Sequence, residues 1–246
     1  MSEVSALSAA EKEKIFFASF PDKEWFEFPS PEAVGIDIVG IGGPLSADIL
    51  LSAYLQGVFP WYNSGDPVLW WSPDPRFVLI PEVFHTPARL ARSMKKNTAG
   101  FTYTMDRAFT EVITACAETK RQAGNGTWIG PDMIKAYTEF HRLGFAHSFE
   151  TYQNGKLCGG FYGVLIGQVF FGESMFSLVP DASKCALVHF VNNFQHCGGK
   201  LIDSQIYTDH IARFGGKNIS RTAFLHLEEL YLSTPLETGL ETMYGK

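Results

Sequence analysis

The chain has 246 residues, enough for one large domain or two modest ones, and 46% of them are hydrophobic, with 21 Phe and 5 Trp; such an apolar, aromatic chain is not intrinsically disordered. Its formal net charge of −6 gives no global attraction to nucleic acid or an anionic membrane, so a polyanion can be held only by a local basic patch. The four cysteines (Cys116, Cys158, Cys185, Cys197) and seven histidines lack metal-ligand spacing, so a reducing compartment and no zinc site are expected.

Met1-Ser2-Glu3-Val4-Ser5-Ala6 has neither the basic residues nor the apolar run of a signal peptide, and no stretch approaches the roughly 18 apolar residues of a membrane span. A cytoplasmic protein without a membrane partner is expected, its residues up to about 25 forming a polar, mobile leader. Phe26-Glu27-Phe28-Pro29-Ser30-Pro31 reads as extended, and Val39-Gly40-Ile41-Gly42-Gly43-Pro44 as a glycine-rich link. A helix follows from the N-cap Ser46 through Ile49, Leu50, Ala53 and Tyr54 to a stop at Gly57. Then come Phe59-Pro60-Trp61-Tyr62, a polar turn at Asn63-Ser64-Gly65-Asp66, and Leu69-Trp70-Trp71-Ser72-Pro73-Asp74-Pro75-Arg76. The prolines place a boundary near residue 75, dividing the chain into 1–75 and 76–246.

The second part reads as a strand over Phe77–Ile80, a helix over Pro87–Lys96, an extended Phe101–Met105 and a helix over Arg107–Thr119. A breaker at Gly124-Asn125-Gly126 precedes a helix over Pro131–Leu143, with Ile134, Tyr137 and Phe140 at helical spacing and Gly144 at its end. Phe149–Gln153, the Asn154-Gly155 turn, Lys156–Ile166, a reversal at Gly167-Gln168 and Val169–Phe176 predict a three-strand antiparallel meander. A helix over Ala182–His196, stopped by Gly198-Gly199, leads into a strand over Lys200–Tyr207. The sequence thus predicts an α/β (α+β) fold: a small N-terminal α/β domain, then a domain whose element order is that of a GNAT-like (acyl-CoA N-acyltransferase-like) fold.

Three polar residues interrupt apolar strand sequence: Glu173 in Gly172-Glu173-Ser174-Met175-Phe176-Ser177, and Asp203 and Gln205 in Lys200-Leu201-Ile202-Asp203-Ser204-Gln205. Alternation in an extended strand puts Asp203 and Gln205 on one face, Ser204 on the other, and Glu173 on a face with Val169, Phe171 and Met175. Burying such groups unpaired costs a few kcal/mol, so the pattern fits either an active site or a satisfied structural network. Arg89, Arg92 and Lys96, joined by Lys95, form a cationic stripe that fits phosphates or simply a solvated helix face. Phe59, Trp61, Trp70, Trp71 and Trp128 suit core packing or an aromatic pocket, with Trp61 and Trp128 set apart by their turn neighbours. Ser177–Ser183, where an acetyl-CoA enzyme carries a glycine-rich pyrophosphate loop, has no glycine and one acidic residue, Asp181, which argues against a CoA ester as donor.

Taken together, Gly57-Val58-Phe59-Pro60-Trp61-Tyr62, Leu69 to Arg76, Gly126-Thr127-Trp128-Ile129, Gly172 to Ser177, Ala182-Ser183-Lys184 and Lys200 to Gln205 closely resemble the signatures of the bacterial leucyl/phenylalanyl-tRNA-protein transferases. The resemblance implies the two-domain arrangement and an aminoacyltransferase that needs no metal or cofactor. Its activity would be transfer of Leu or Phe, less readily Met, from aminoacyl-tRNA to the N-terminal α-amine of proteins beginning with Arg or Lys, marking them for N-end-rule degradation. By position, Asp203, Gln205 and Glu173 fall on the family's catalytic and acceptor-site residues. Trp61, Trp128, Phe170, Ser177 and Ile202 fall on its aminoacyl and adenosine pocket, and Arg92, Lys95 and Lys96 on its tRNA-binding cluster. Asp203 is expected to orient Gln205 and to stabilise charge on the attacking nitrogen. One departure is Ser204, where the family usually has cysteine; Arg89 lies in a stretch that does not align securely. An acetyl-CoA-dependent N-acetyltransferase and a non-catalytic RNA-binding module are the alternatives, the second leaving Asp203 and Gln205 without a purpose.

Overall fold

The computed structural model describes residues 7–96, 100–119 and 128–245; the readings of Met1–Ala6, the Gly124–Gly126 breaker and Gly126-Thr127 of the tryptophan motif lie outside the described residues. The mobile leader is corrected by a first helix, α1 (Ala9–Ser19). Ser8 caps it: its Oγ accepts from the Glu11 N–H and the Glu11 carboxylate accepts from the Ser8 N–H at 2.8 Å, a reciprocal capping box. Phe16 of this helix is fully buried, and Lys12 pairs with Glu229 at 2.8 Å. Packing, absent from a local reading, holds the helix in place.

The chain continues through α2 (Pro31–Val34), β1 (Ile38–Ile41), α3 (Ala47–Tyr54), β2 (Phe59–Pro60), β3 (Leu69–Trp71), β4 (Arg76–Leu79) and α4 (Ala88–Lys95). It goes on with β5 (Phe101–Met105), α5 (Phe109–Glu118), α6 (Pro131–Arg142), β6 (Ala146–Gln153), β7 (Lys156–Ile166) and β8 (Val169–Ser177). It closes with α7 (Ala182–His196), β9 (Leu201–Asp203), α8 (Asp209–Ala212), β10 (Lys217–Ile219) and α9 (Arg221–Leu232). The fold is mixed α/β. A three-stranded antiparallel sheet has the order β1-β3-β2, and a seven-stranded sheet the order β10-β4-β9-β8-β7-β6-β5. Every pair in the larger sheet is antiparallel except β8 with β9. The β6–β7 turn has Asn154 at φ 52° and Gly155 at φ 75°, the two positive angles of a type I′ hairpin.

Side chains alternate across the larger sheet. Val78, Phe171 and Leu201 join a core with α3, α5 and α6, while Phe77, Leu79, Phe170 and Ile202 join a second core under α7. Two departures from simple alternation shape the molecule. In β8 the register runs from Gly163↔Gly172 to Tyr162↔Ser174, so Glu173 is the extra residue of a β-bulge. Beyond it the faces exchange, and Met175 packs with the α7 core rather than sharing a face with Phe171, which corrects the predicted grouping. The bulge needs Gly163 opposite, because a Cβ there would lie 2.2 Å from the Phe171 carbonyl oxygen. The second departure is the predicted strand over Lys200–Tyr207, which stops at Asp203.

Helix α9 lies where the two sheets meet. Its Arg221 is buried and donates to the Ile36 and Ser72 carbonyls at 3.0 and 2.7 Å. About two turns further on, Glu228 is fully buried with neither carboxylate oxygen hydrogen-bonded among the described residues. It lies against Gly57, which has φ 71° and where a Cβ would stand 2.3 Å from Leu225 and 3.2 Å from Glu228 Oε2. Burial pushes the Glu228 carboxyl up to about 8, against the pull of Lys12 and Arg76. An unfolded glutamate titrates near ~4.3, so across this window the unfolded chain loses a proton that the folded chain keeps, and stability falls as pH rises. Glu228→Gln keeps the shape without the titration. Its stability advantage over the wild type should grow between about pH 5 and about pH 9, by an amount on the order of a few kcal/mol; thermal melts at both pH values check this, and a constant difference in Tm would refute it.

Candidate active site

The pairing of β8 with β9 ends at Phe171–Asp203, while β8 runs on to Ser177. A cleft of about 820 Å³ lies along this continuation, and Glu173, Asp203, Gln205, Trp61, Trp128, Phe170, Ser177 and Ile202 all line it. These eight positions, from elements more than 140 residues apart in sequence, are thus brought to one opening. Arg92 and Lys95 of α4 and Lys96 just after it are exposed and are not among the lining residues; Arg89 is exposed on α4 too. Trp70 belongs to the core, 3% exposed, edge-on to Phe28 and donating to the Gly42 carbonyl at 3.0 Å. Trp61 is only half-buried, with its ring 5.3 Å from that of Trp71.

The bulge aims Glu173 at two helices. Tyr54 of α3 donates to Glu173 Oε1 at 2.6 Å, Tyr137 of α6 donates to Oε2 at 3.2 Å, and the two hydroxyls are 2.5 Å apart. Gln205 Nε2 donates to Oε1 at 3.1 Å. Glu173 keeps some contact with the cleft, but its carboxyl group is surrounded by protein, and this burial pushes it up to about 7. The tyrosine hydrogen bonds pull it down, the Asp203 charge raises it and Arg76 lowers it. Burial and then the Glu173 charge hold both tyrosines well above the usual phenol range, so each is a neutral donor at neutral pH. The result is a carboxyl group that can gain or lose a proton near neutrality.

Asp203 is held from behind the cleft. It is fully buried, and its oxygens accept from Arg76 Nε at 2.9 Å and Nη2 at 2.7 Å. Val78 pairs with Asp203 across β4 and β9, so Arg76, two residues before Val78 and on the same face, is a diagonal neighbour within reach of a long side chain. Asp203 Oδ1 also accepts from the Gln205 N–H at 2.9 Å. Its charge is compensated by Arg76, and its contact with Gln205 is to the backbone N–H. Gln205 lies past the end of the strand at φ 56°, so strand alternation does not relate the pair; a side-chain-to-backbone hydrogen bond does.

Sequence reasoning passed over Arg76, Tyr54 and Tyr137. Arg76 ends the Leu69–Arg76 motif and Tyr54 and Tyr137 sit on predicted helices, but nothing local says that they converge on residues 173 and 203. Among the described residues no group of three or more His, Cys, Asp or Glu side chains is placed to hold a metal ion, and no helix is long and apolar enough to cross a membrane.

Residues 78–229 match the family model described as leucyl/phenylalanyl-tRNA protein transferase, and residues 43–74 match the model for that protein's N-terminal domain. A leucyl/phenylalanyl-tRNA–protein transferase of Chromohalobacter salexigens is 50% identical over 203 residues, covering 82% of this chain and 78% of the relative. One from Methylococcus capsulatus is 46% identical over 220 residues, covering 88% and 92%. The chain belongs to the leucyl/phenylalanyl-tRNA-protein transferase family. It is an aminoacyltransferase. A solved structure, that of L-PGS from Bacillus licheniformis, is similar only at a TM-score of 0.35 and 10% identity, over 63% of this chain and 51% of that one. In this transferase Arg76 falls in the gap between the two matched segments, while the cleft residues belong to one or the other.

The backbone at Gln205 offers a direct test of the site's construction. A left-handed residue other than glycine costs about 1–2 kcal/mol, and asparagine tolerates it best. Gln205→Asn should therefore melt close to the wild type and Gln205→Val should lose about 1–2 kcal/mol or more; equal melting temperatures for the two would mean that the turn is not held.

Proposed function

We propose that this transferase moves Leu or Phe, and less readily Met, from tRNA to the α-amine of proteins beginning with Arg or Lys, which marks them for N-end-rule degradation. The observation that carries this reading is the convergence of Glu173 and Gln205 on one aromatic-walled cleft. The cleft's charged lining also suits a cationic acceptor: Lys184 is paired with Asp181 at 2.6 Å and Asp203 with Arg76, which among the described residues leaves Glu173 as the lining acid without an ion-pair partner. Phe161, Phe170, Met175, Leu187 and Ile202 give the same cleft an apolar stretch for a Leu or Phe side chain. Shape alone discriminates there by roughly 1–3 kcal/mol per misplaced methyl group. Trp61 and Trp128 supply flat faces for the terminal adenosine.

An aminoacyl ester is already activated, so aminolysis depends chiefly on holding a neutral amine in line with the carbonyl. The Gln205 Nε2 bond to Glu173 fixes the flip of the amide and leaves its Oε1 to accept from the attacking N–H. As the C–N bond forms and the ester C–O bond breaks, a proton must pass from nitrogen to the departing ribose oxygen. An α-amine titrates near ~7.7–8.0 and Glu173 at about 7, so Glu173 can take that proton and return it without a large energetic step. Arg92, Lys95 and Lys96 would hold the tRNA backbone, a contact that carries no sequence information. The GNAT-like character of the larger unit and its division from a small N-terminal domain near residue 75 belong to this proposal, supported by the parting of β8 from β9 and by the separate smaller sheet.

Labelled leucyl-tRNA incubated with peptides beginning in Arg or in Met should label the Arg peptide only; equal labelling of both would sink the acceptor assignment. Glu173→Gln should lower kcat/KM about 10²-fold, the scale of a lost general base, and remove the acid limb that otherwise rises through about pH 7. Because the wild-type carboxylate becomes competent only as pH rises past that value, an unchanged limb in the variant would assign it to the acceptor amine alone. Replacing Arg92, Lys95 and Lys96 together by Ala should raise KM for aminoacyl-tRNA, spare kcat and flatten the log-log salt dependence by roughly 0.7–0.9 per lost phosphate contact, as read from transfer rates across a salt series.

A further inference from the structure

We propose that Arg76 is a positioning residue of the transfer reaction: from behind the cleft it clamps Asp203, and so holds Gln205 in the one backbone conformation that presents its amide to Glu173 and to the reacting amine. This rests on the reading of Gln205 and Glu173 given above.

Gln205 is the centre of a γ-turn, with φ 56° and the Ile206 N–H donating to the Ser204 carbonyl at 2.7 Å. Such a turn is rare and strained, and persists only where its surroundings over-determine it. Among the described residues, the hydrogen bonds that hold its backbone from outside trace back to β4. The Gln205 carbonyl accepts from the Phe77 N–H at 3.0 Å, the Ser204 N–H donates to the Phe77 carbonyl at 2.9 Å, and the Gln205 N–H is taken by Asp203. Asp203 in turn is gripped by the two parallel bonds from Arg76, the residue before Phe77.

Arg76 is itself fixed on its remaining sides. Nη1 donates to the Gly57 carbonyl at 3.1 Å, and the guanidinium carbon lies 4.8 Å from the Phe59 ring centre and 4.2 Å from that of Phe224. Its side chain is fully buried and is not part of the cleft lining, so it acts on the chemistry only through Asp203. A lysine could supply the charge but not the planar fork.

The guanidinium has a second effect, on Glu173. The ionisable groups facing that carboxyl are Tyr54 from α3, Tyr137 from α6, Asp203 from β9 and Arg76 from β4. Asp203 pushes it up and Arg76 draws it down. Without the guanidinium the Asp203 charge is uncompensated, Glu173 keeps its proton to higher pH, and the acid limb of transfer moves in the same direction.

Arg76→Lys, Arg76→Ala and Gln205→Ala are compared with the wild type in single-turnover transfer from leucyl-tRNA to an Arg-starting peptide, over a pH series, alongside thermal melts. Arg76→Lys is expected to melt cooperatively, keep its KM for leucyl-tRNA and lose about 10²-fold in rate, the scale of a small misplacement of a reacting group, with its acid limb near that of the wild type because the charge is kept, whereas Arg76→Ala, which loses the charge, has its limb displaced to higher pH. Arg76→Ala should regain part of its rate on addition of low-millimolar guanidinium, which fits the space between Phe59 and Phe224. Wild-type rate in Arg76→Lys, or a loss in both Arg76 variants with neither a displaced limb nor guanidinium rescue, overturns the positioning role while leaving the site reading intact if Gln205→Ala is inactive. A fully active Gln205→Ala overturns the site reading, and this inference with it.

Discussion

The buried ion pair between Arg76 and Asp203 is the constraint on which the rest of the site depends. Removing two charges from water costs several kcal/mol per ion, and the pair's mutual attraction offsets this only where geometry and additional hydrogen bonds are good. Both conditions are met: two parallel bonds join the partners, the Gly57 carbonyl and Gln205 N–H take up remaining capacity, and two aromatic rings flank the cation. These partners come from the link after α3, from β2, β4, β9 and α9. The pair is therefore where the smaller sheet's neighbourhood, the larger sheet and the C-terminal helix are tied together. Loss of one partner would leave the other charge uncompensated, a cost of about 3–5 kcal/mol.

The same dependence explains which parts of the molecule could be read from the sequence. The Asn154-Gly155 hairpin, α6 with its starting proline, and α7 with its apolar face are local patterns, and they appear where those patterns put them. The eight cleft residues were named through resemblance and polar residues in apolar strands, signals that survive without knowledge of the packing. Three features escaped because their causes are not local. The inserted residue in β8 defeats a period-2 argument between Glu173 and Met175. A tertiary clamp stops β9 at Asp203 and bends the chain at Gln205, although the residues beyond have strand-like composition. Arg76, a charged residue beside a proline, reads as surface until its carboxylate partner, 127 residues away, is known. The first helix is a middle case: its Ser8–Glu11 box is visible in sequence, but burial of Phe16 against the core keeps a short helix formed.

Two carboxyl groups near this clamp, Glu173 and Glu228, have their proton affinity raised by burial, and their surroundings separate a useful perturbation from a merely costly one. Glu228 has no hydrogen-bond donor among the described residues and is not part of the cleft lining, so its raised affinity at about 8 subtracts from stability above the normal carboxylate range. Glu173 has three donors and an opening beside it, and the two tyrosine donors, with Arg76, limit its rise to about 7. Both feel Asp203 and Arg76 in opposite senses. Were Asp203 present without Arg76, its charge would push Glu173 further up and favour its protonated form at neutral pH.

A buried pair is weak evidence of stabilisation by itself, because a well-packed apolar substitute is often as stable. What an apolar pair could not do here is hold the Gln205 N–H, since a methyl group in place of the Asp203 carboxylate offers no acceptor to a strained turn. Nor could it leave Glu173 poised, because the carboxylate and the guanidinium act on it with opposite sign and only together keep their net influence small. The charges at this position thus serve geometry and proton affinity at once, and both requirements fall on the same two side chains because Gln205 and Glu173 meet directly above them.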